Sequence, residues 1–344
     1  MTPSNAKWLE ADVAKLPIVP ASSFGVVLGL AGLGGSWRAA HSVWQLPAWV
    51  GEALMLAAAA VWAAVSVLYA AKWLAAREQA VAELHHPVQC CFVGLAGVAT
   101  MLVGGGALPH ARPLAAALFA AGAAFTLGFA LWRTGLLWRG ERDPGATTPV
   151  LYLPAVAGSF VAAAGAAALG HRDWAQLAFG AGLFSWLAIE SVLLHRLYTG
   201  AELPPPLRPT LGIQPAPPAV GAVAYLGAGG GAPDMAAHAL LGYGLLQAAL
   251  LLRLLPWIMR QPFAPSYWAF TFGATALAAA ALRLAERDGT GAVALLAPWL
   301  FAAANAVVCL AAAGTLRLLV AGRPRPRPEP LASGPAIRAH GAGP

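Results

Sequence analysis

The sequence predicts an all-α integral membrane protein of about ten transmembrane helices, arranged as five helical hairpins around a quasi-fivefold central pore. Three observations carry that expectation. The composition is apolar and poor in charge, the basic residues alternate between the two sides of the successive spans, and glycine and proline alternate with tryptophan from one span to the next.

Of the 344 residues, 59% are apolar and 10% charged, and mean hydropathy is +0.66. Soluble domains carry about 25% charged residues. A chain this poor in charge cannot coat a water-facing globule, whereas hydrocarbon requires no polar cover. Residues 1–15 are polar and include Lys7, Glu10, Asp12 and Lys15, so no cleavable signal peptide is expected there. The formal net charge of +7 does not point to nucleic acid, because the basic residues stand singly at span ends. Cys90, Cys91 and Cys309 are odd in number and two are adjacent, which suits no disulfide framework. They read as small apolar packing residues.

Apolar stretches of about 20 residues run over 21–40, 48–73, 87–106, 113–138, 150–169, 175–197, 211–226, 236–258, 265–284 and 292–319. The seventh is interrupted by Pro215, Pro217 and Pro218. With ten spans, both termini share one side, and 16 of the 21 Lys and Arg fall there. The positive-inside rule then places both termini in the cytoplasm of a multi-pass protein of the inner (plasma) membrane. Residues 1–322 are expected to form one ten-helix transmembrane domain. Residues 323–344 begin RPRPRPEP, a Pro/Arg-rich tail that cannot be helical and reads as disordered and cytoplasmic.

Lys72, Arg133, Arg196, Arg253 and Arg317 mark the cytoplasmic ends of the even spans, at separations of 61, 63, 57 and 64 residues. That is one hairpin per unit, five times over. Short loops and the positive-inside rule alone produce something similar, so the contrast within each unit matters more. Even spans carry Trp62, Trp73, Trp132, Trp138, Trp186, Trp257 and Trp299. Odd spans carry Gly25, Gly29 and Gly32, then Gly94, Gly97 and Gly104, then Pro154, Gly158 and Gly165, the proline cluster, and Gly273. Proline frees backbone carbonyls that must face protein or a watery cavity, and small residues admit close approach or open space. Odd spans therefore suit an inner ring and even spans a lipid-facing outer ring.

Glu190 is the one acidic residue well inside a span. Intramembrane charge marks function by default, but its place near Arg196 on an even span suggests a structural ion pair, with Arg133 or Arg253 of a neighbouring hairpin. His85 and His86 are adjacent and no cluster completes a metal site around them. The spans offer no convergent set of polar residues for an enzyme. No catalytic residue, metal or cofactor is expected.

The segments PASSFGVVLGLAGLG (20–34), HHPVQCCFVGLAGVATMLVG (85–104), YLPAVAGSF (152–160), FGAGLFSWLAIESVLLHRL (179–197), GYGLLQAALLLRLLPWI (242–258) and WAFTFG (268–273) together resemble the bacterial TehA-like proteins. These belong to the tellurite-resistance/dicarboxylate transporter family, which includes the plant slow anion channels. The resemblance implies five hairpins, a pore lined by odd helices, a homotrimer, and a phenylalanine on the ninth helix that blocks the pore. The matching position is Phe272. Phe24, Gly25, Thr100, Pro154 and Pro217 are the further candidate lining residues. No Lys or Arg lies in the middle of an odd span, so anion preference would come from helix amides, hydroxyls and the overall positive field. The expected partners are small permeant anions such as chloride or nitrate, and membrane lipid. A proton-coupled C4-dicarboxylate or tellurite transporter is the alternative within the family.

Overall fold

The computed structural model describes residues 17–321 apart from 141 and 230–232. The Pro/Arg-rich tail and the first sixteen residues lie outside the described part. Among the described residues all regular structure is helical. Ten longer helices follow one another: α1 (Phe24–Trp44), α2 (Ala48–Ala75), α3 (Leu95–Ala107), α4 (Arg112–Trp138), α5 (Gly158–Leu169), α6 (Arg172–Thr199), α7 (Ala216–Gly229), α8 (Met235–Ile258), α9 (Ala269–Asp288) and α10 (Ala292–Val320). A short helix, Arg77–His85, lies between α2 and α3.

Eight segments among the described residues are long and apolar enough to cross a membrane. The two that fall short are α1, diluted by glycines and by Arg38 and His41, and α7. The latter has 14 residues, about 21 Å at 1.5 Å per residue, against a hydrocarbon thickness of about 30 Å. Its start is later than the sequence suggests. Residues Pro205–Ile213 form a 3-10 helix, and Pro217 and Pro218 sit in the first turn of α7, where the missing N–H groups have no helical partner to lose.

Other odd helices begin irregularly too. A 3-10 turn Ala21–Ser23 precedes α1, a π-turn Leu153–Ala157 containing Pro154 precedes α5, and a 3-10 turn Pro265–Trp268 precedes α9. The third span is divided at Gly94 between Cys90–Val93 and α3. Even helices run 24 to 29 residues, long regular rods joined to the odd ones by short turns. Several of those turns close on left-handed residues: Gln45 after α1, Gly170 after α5 and Gly289 after α9.

Each odd helix packs against the even helix that follows it, giving the pairs α1–α2, α3–α4, α5–α6, α7–α8 and α9–α10. The odd helices also contact one another in a closed cycle, α1–α3–α5–α7–α9 and back to α1. Each even helix touches the next odd helix in turn, with α10 returning to α1. Burial follows the same division. In the three odd segments that qualify as spans, 61 to 72% of the most apolar window is buried, against 17 to 28% in the even helices. Apolar side chains such as Leu56, Leu131, Phe184, Leu252 and Trp299 are exposed on the even helices, as a hydrocarbon solvent permits.

Polar side chains stitch the rings together. Trp62 Nε1 donates to Thr100 Oγ1 at 3.0 Å, Trp37 Nε1 to Asn305 Oδ1 at 2.9 Å, and Ser36 Oγ to the Thr275 carbonyl at 2.8 Å. Many glycines of the odd helices serve close packing. A Cβ on Gly97 would fall 2.1 Å from Thr126 Oγ1 and 2.6 Å from the Gly122 carbonyl, so α3 and α4 meet at a contact that only glycine permits.

Candidate functional site

Two cavities lie within the cycle of odd helices. The first, about 130 Å³, is walled by the irregular starts of those helices, including Ser22, Gly25, Gln89, Tyr152, Thr210, Pro217 and Ser266. The second, about 500 Å³, is walled by their far ends, including Arg38, Ser42, Gly105, Thr275, Ala279, Arg283, Glu286 and Arg287. Two residues line both: Val220 of α7 and Phe272 of α9. Phe272 therefore stands on the partition between them, half-buried, its ring against Gly32, where an added Cβ would lie 3.4 Å from Cδ2. The next residue, Gly273, fits tightly under Pro215 and the Ala216 amide, which holds α9 at the partition close to the start of α7.

Gly25 and Pro217 share the first cavity with Phe272. Phe24, Thr100 and Pro154 line neither cavity. Phe24 is turned from the cycle and packs edge-on to Tyr69 of α2, ring centroids 6.0 Å apart. Thr100 donates to the Ala96 carbonyl at 2.7 Å and accepts from Trp62 on α2. Pro154 is buried in its π-turn, while its neighbours Leu153, Val156 and Ala157 reach the cavity.

Glu190 corrects a second expectation. Among the described residues it makes no ion pair with Arg133 or Arg253. Its buried carboxylate instead accepts hydrogen bonds from four neutral donors: the Tyr152 hydroxyl, Trp186 Nε1 at 3.1 Å, the Tyr243 hydroxyl at 2.6 Å and Gln247 Nε2 at 3.1 Å. Convergent donors stabilise a carboxylate where water is absent. Spacing gave a partial signal, since Trp186 and Glu190, and Tyr243 and Gln247, are i, i+4 pairs facing across α6 and α8. Arg253 is exposed on α8. Arg133 donates to the Pro87 carbonyl at 3.4 Å, and Arg142 donates to the same oxygen at 3.1 Å.

Lys72, Arg133 and Arg196, at the ends of three even helices, thus tie down the segments beside them. Lys72 forms a buried ion pair with Glu83 at 2.6 Å, and Glu83 also accepts the Ala21 amide at 2.8 Å ahead of α1. Arg196 donates to the Pro144 and Ala201 carbonyls. Cys90 and Cys91 are buried free thiols and Cys309 is exposed. Among the described residues no three His, Cys, Asp or Glu side chains cluster as a metal site.

Comparison with known proteins shows the family. Residues 19–316 match the SLAC1 family, described as voltage-dependent anion channels. The chain is 39% identical over 262 residues to the tellurite resistance protein TehA homolog of Haemophilus influenzae, a match covering 76% of this chain and 79% of that protein. It is 25% identical over 228 residues to the uncharacterized transporter MJ0576 of Methanocaldococcus jannaschii, covering 58% of this chain and 65% of that protein.

Proposed function

Because the chain belongs to the SLAC1 family of voltage-dependent anion channels, we propose that it is a gated anion channel of the inner membrane, its five hairpins enclosing a pore that Phe272 blocks. In this reading all ten helices cross the bilayer, with both termini cytoplasmic. The short α7 reaches across with the help of the 3-10 segment before it. The first cavity is then the cytoplasmic vestibule and the second the outer one. The lipid-facing even helices also carry the contacts of a homotrimer.

The observation that carries this reading is the place of Phe272 on the wall common to both cavities. An anion crossing that point must shed water against an apolar ring and an apolar Val220, which is costly without replacement dipoles. Apolar constrictions close pores by excluding water. Truncating the ring merges the two cavities. The walls of the first carry hydroxyls, an amide and helix starts but no charged side chain, which suits weak binding and release rather than capture.

Purified protein in planar bilayers tests this, with chloride and nitrate currents compared between wild type and Phe272→Ala. The expected result is a silent wild type and an anion-selective variant. Silence from both, with monodisperse protein, refutes the gate.

One observation favours a second reading, a proton-coupled transporter of C4-dicarboxylates or tellurite. Buried Glu190 accepts the hydroxyl of Tyr152, a residue that also lines the first cavity, so one side chain links the carboxylate to the vestibule wall. That reading requires malate or tellurite uptake that depends on pH and loses the dependence in Glu190→Gln.

A further inference from the structure

The second cavity holds four charged side chains, and they are not equally engaged. Arg38 is bound by Glu52 through two contacts of 2.8 Å and donates to the Gly105 and Gly106 carbonyls. Arg287 donates to the Leu226 carbonyl at 2.9 Å. Glu286 is exposed on the last turns of α9. Arg283 lines the cavity, is more buried than Glu286 or Arg287, and has no hydrogen-bond or ion-pair partner among the described residues. A guanidinium carries five donors in a planar fork. Leaving it without a partner in a confined space is costly unless water or an anion fills the fork.

Its register is also significant. Phe272, Ala276, Ala279 and Arg283 fall at i, i+4, i+7 and i+11, one face of α9, and all four line this cavity. At 1.5 Å per residue, Arg283 stands roughly 16 Å along the helix from Phe272. Small residues lie between them, so nothing on that face obstructs an ion moving from one to the other.

We propose that Arg283 is an anion-capture site of the outer vestibule, taking small planar oxoanions in a bidentate contact and delivering them to the Phe272 partition. This rests on the pore reading above, which it deepens by naming where the permeant pauses and which ligand geometry it prefers. A planar oxoanion presents two oxygens to the fork, whereas a halide meets it as a point charge. Arg38 and Arg287 add positive potential around the site, and exposed Glu286 opposes them.

Two measurements separate this site from the gate. In the first, the thermal midpoint of detergent-solubilised protein with an intact Phe272 is followed against sodium nitrate, with sodium chloride at equal ionic strength as reference. Ligand binding to the folded state raises the midpoint, so nitrate stabilises wild type above chloride and Arg283→Gln loses that excess. An unchanged excess in Arg283→Gln overturns the site whether or not the protein conducts. In the second, Arg283→Gln and Arg283→Lys are added to Phe272→Ala in bilayers. Current carried by anions that arrive from the outer vestibule falls about tenfold in Arg283→Gln at 10 mM salt, the low end of electrostatic steering. At 1 M salt, where the screening length is about 3 Å, the difference vanishes. Lysine restores chloride current but not the nitrate-to-chloride ratio. Equal low-salt currents with and without Arg283 overturn the capture role while the pore stands. A persistent nitrate advantage in Arg283→Lys overturns the bidentate geometry. Should Phe272→Ala itself be silent, the pore reading falls and the nitrate melting shift alone decides the site.

Discussion

The two cavities that meet at Phe272 are built by opposite ends of the same helices, and they differ in almost every physical respect. The first is small, about 130 Å³, and has no charged wall residue. Several of the odd helices begin there, unwound by proline into 3-10 and π turns. The second is about 500 Å³ and carries Arg38, Arg283, Glu286 and Arg287, where the helices end in regular turns. Proline at a helix start costs little yet brings uneven backbone inward, so the narrow side can present dipoles without charge. The wide side meets bulk water, where full charges are tolerated. Dipoles suit an ion that must leave again, and charge suits one that must first be gathered.

The largest effect should come from giving the first cavity a charge. Ser266, half-buried on its wall at the start of α9, sits where an acidic side chain favours the helix dipole, so Ser266→Asp should fold. Added to Phe272→Ala, it is expected to reduce anion current at least about tenfold through repulsion in a confined, poorly screened space. The mirror change on the exposed side, Glu286→Gln, should raise low-salt current by only about twofold, because water screens that position. Equal and opposite effects would mean that the cavities do not differ electrostatically.

Next in size is the Glu190 cluster, which anchors the first cavity through Tyr152. Glu190→Gln keeps the shape but replaces a charge-assisted acceptor by an amide, leaving the four donors competing for one oxygen. Bonds to charged groups contribute about 1.5–3 kcal/mol each, and a net loss of about 2 kcal/mol is expected in chemical denaturation. Glu190→Leu should cost more, as it removes the acceptor of Tyr152, Trp186 and Tyr243 and leaves Gln247 only the Tyr243 hydroxyl. A variant as stable as wild type would show that the carboxylate is held there for function alone.

What the sequence disclosed and what it hid follow one division. Span order, the odd/even contrast and the side of each basic residue are one-dimensional properties, set by hydropathy and by which residues hydrocarbon excludes. Each of the ten stretches accordingly overlaps a long helix of the structure, although the seventh helix starts only at Ala216 and, among the described residues, eight segments are long and apolar enough to span. Which face of a helix looks inward is different, because it depends on rotational phase. An irregular start, such as the 3-10 turn before α1 or the break at Gly94 before α3, is not legible in the sequence, and Phe24 and Thr100 point to α2 while Gly25, beside one of them, reaches a cavity. The partners of Glu190 were hidden for another reason. Opposite charge is legible along a chain, whereas neutral donors such as Tyr243 and Gln247 resemble any other polar residue until two helices bring them together. Arg283 looks in sequence like any basic residue near the end of a span, since an open space between helices has no sequence signature.

Glycine separates packing from lining. Gly97→Ala drives a methyl into Thr126 and the Gly122 carbonyl, and overpacking of that kind costs about 1–3 kcal/mol. Gly105 lies on the wall of the second cavity with nothing within 4 Å of an added Cβ. Gly105→Ala should be neutral or gain up to about 1 kcal/mol from helix propensity. Thermal melting of the two variants side by side reads the contrast directly, and a destabilised Gly105→Ala would mean that another group closes on that wall of the cavity.

The smallest expected effect is a pH dependence at the rim of the first cavity. His86 Nδ1 accepts the amides of Val88 and Gln89, each at 3.1 Å, and both of those residues line the cavity. Accepting two N–H groups requires an unprotonated Nδ1. Burial holds the imidazole below the ordinary value of 6.5, with nearby Glu83 pulling weakly the other way. The native state therefore binds fewer protons than the unfolded chain between its lowered value and 6.5, so stability rises with pH across that window and is lost as pH falls below 6.5. Above 6.5 both states are neutral and the dependence ends. The half-exposed ring keeps the effect small, and it should be read locally, as loss of hydrogen-exchange protection at Val88 and Gln89 on acidification. His86→Asn supplies an oxygen acceptor that does not titrate in this range, and should flatten the profile. If protection at these two amides falls equally in both proteins, the rim opens for another reason and His86 is only a cap.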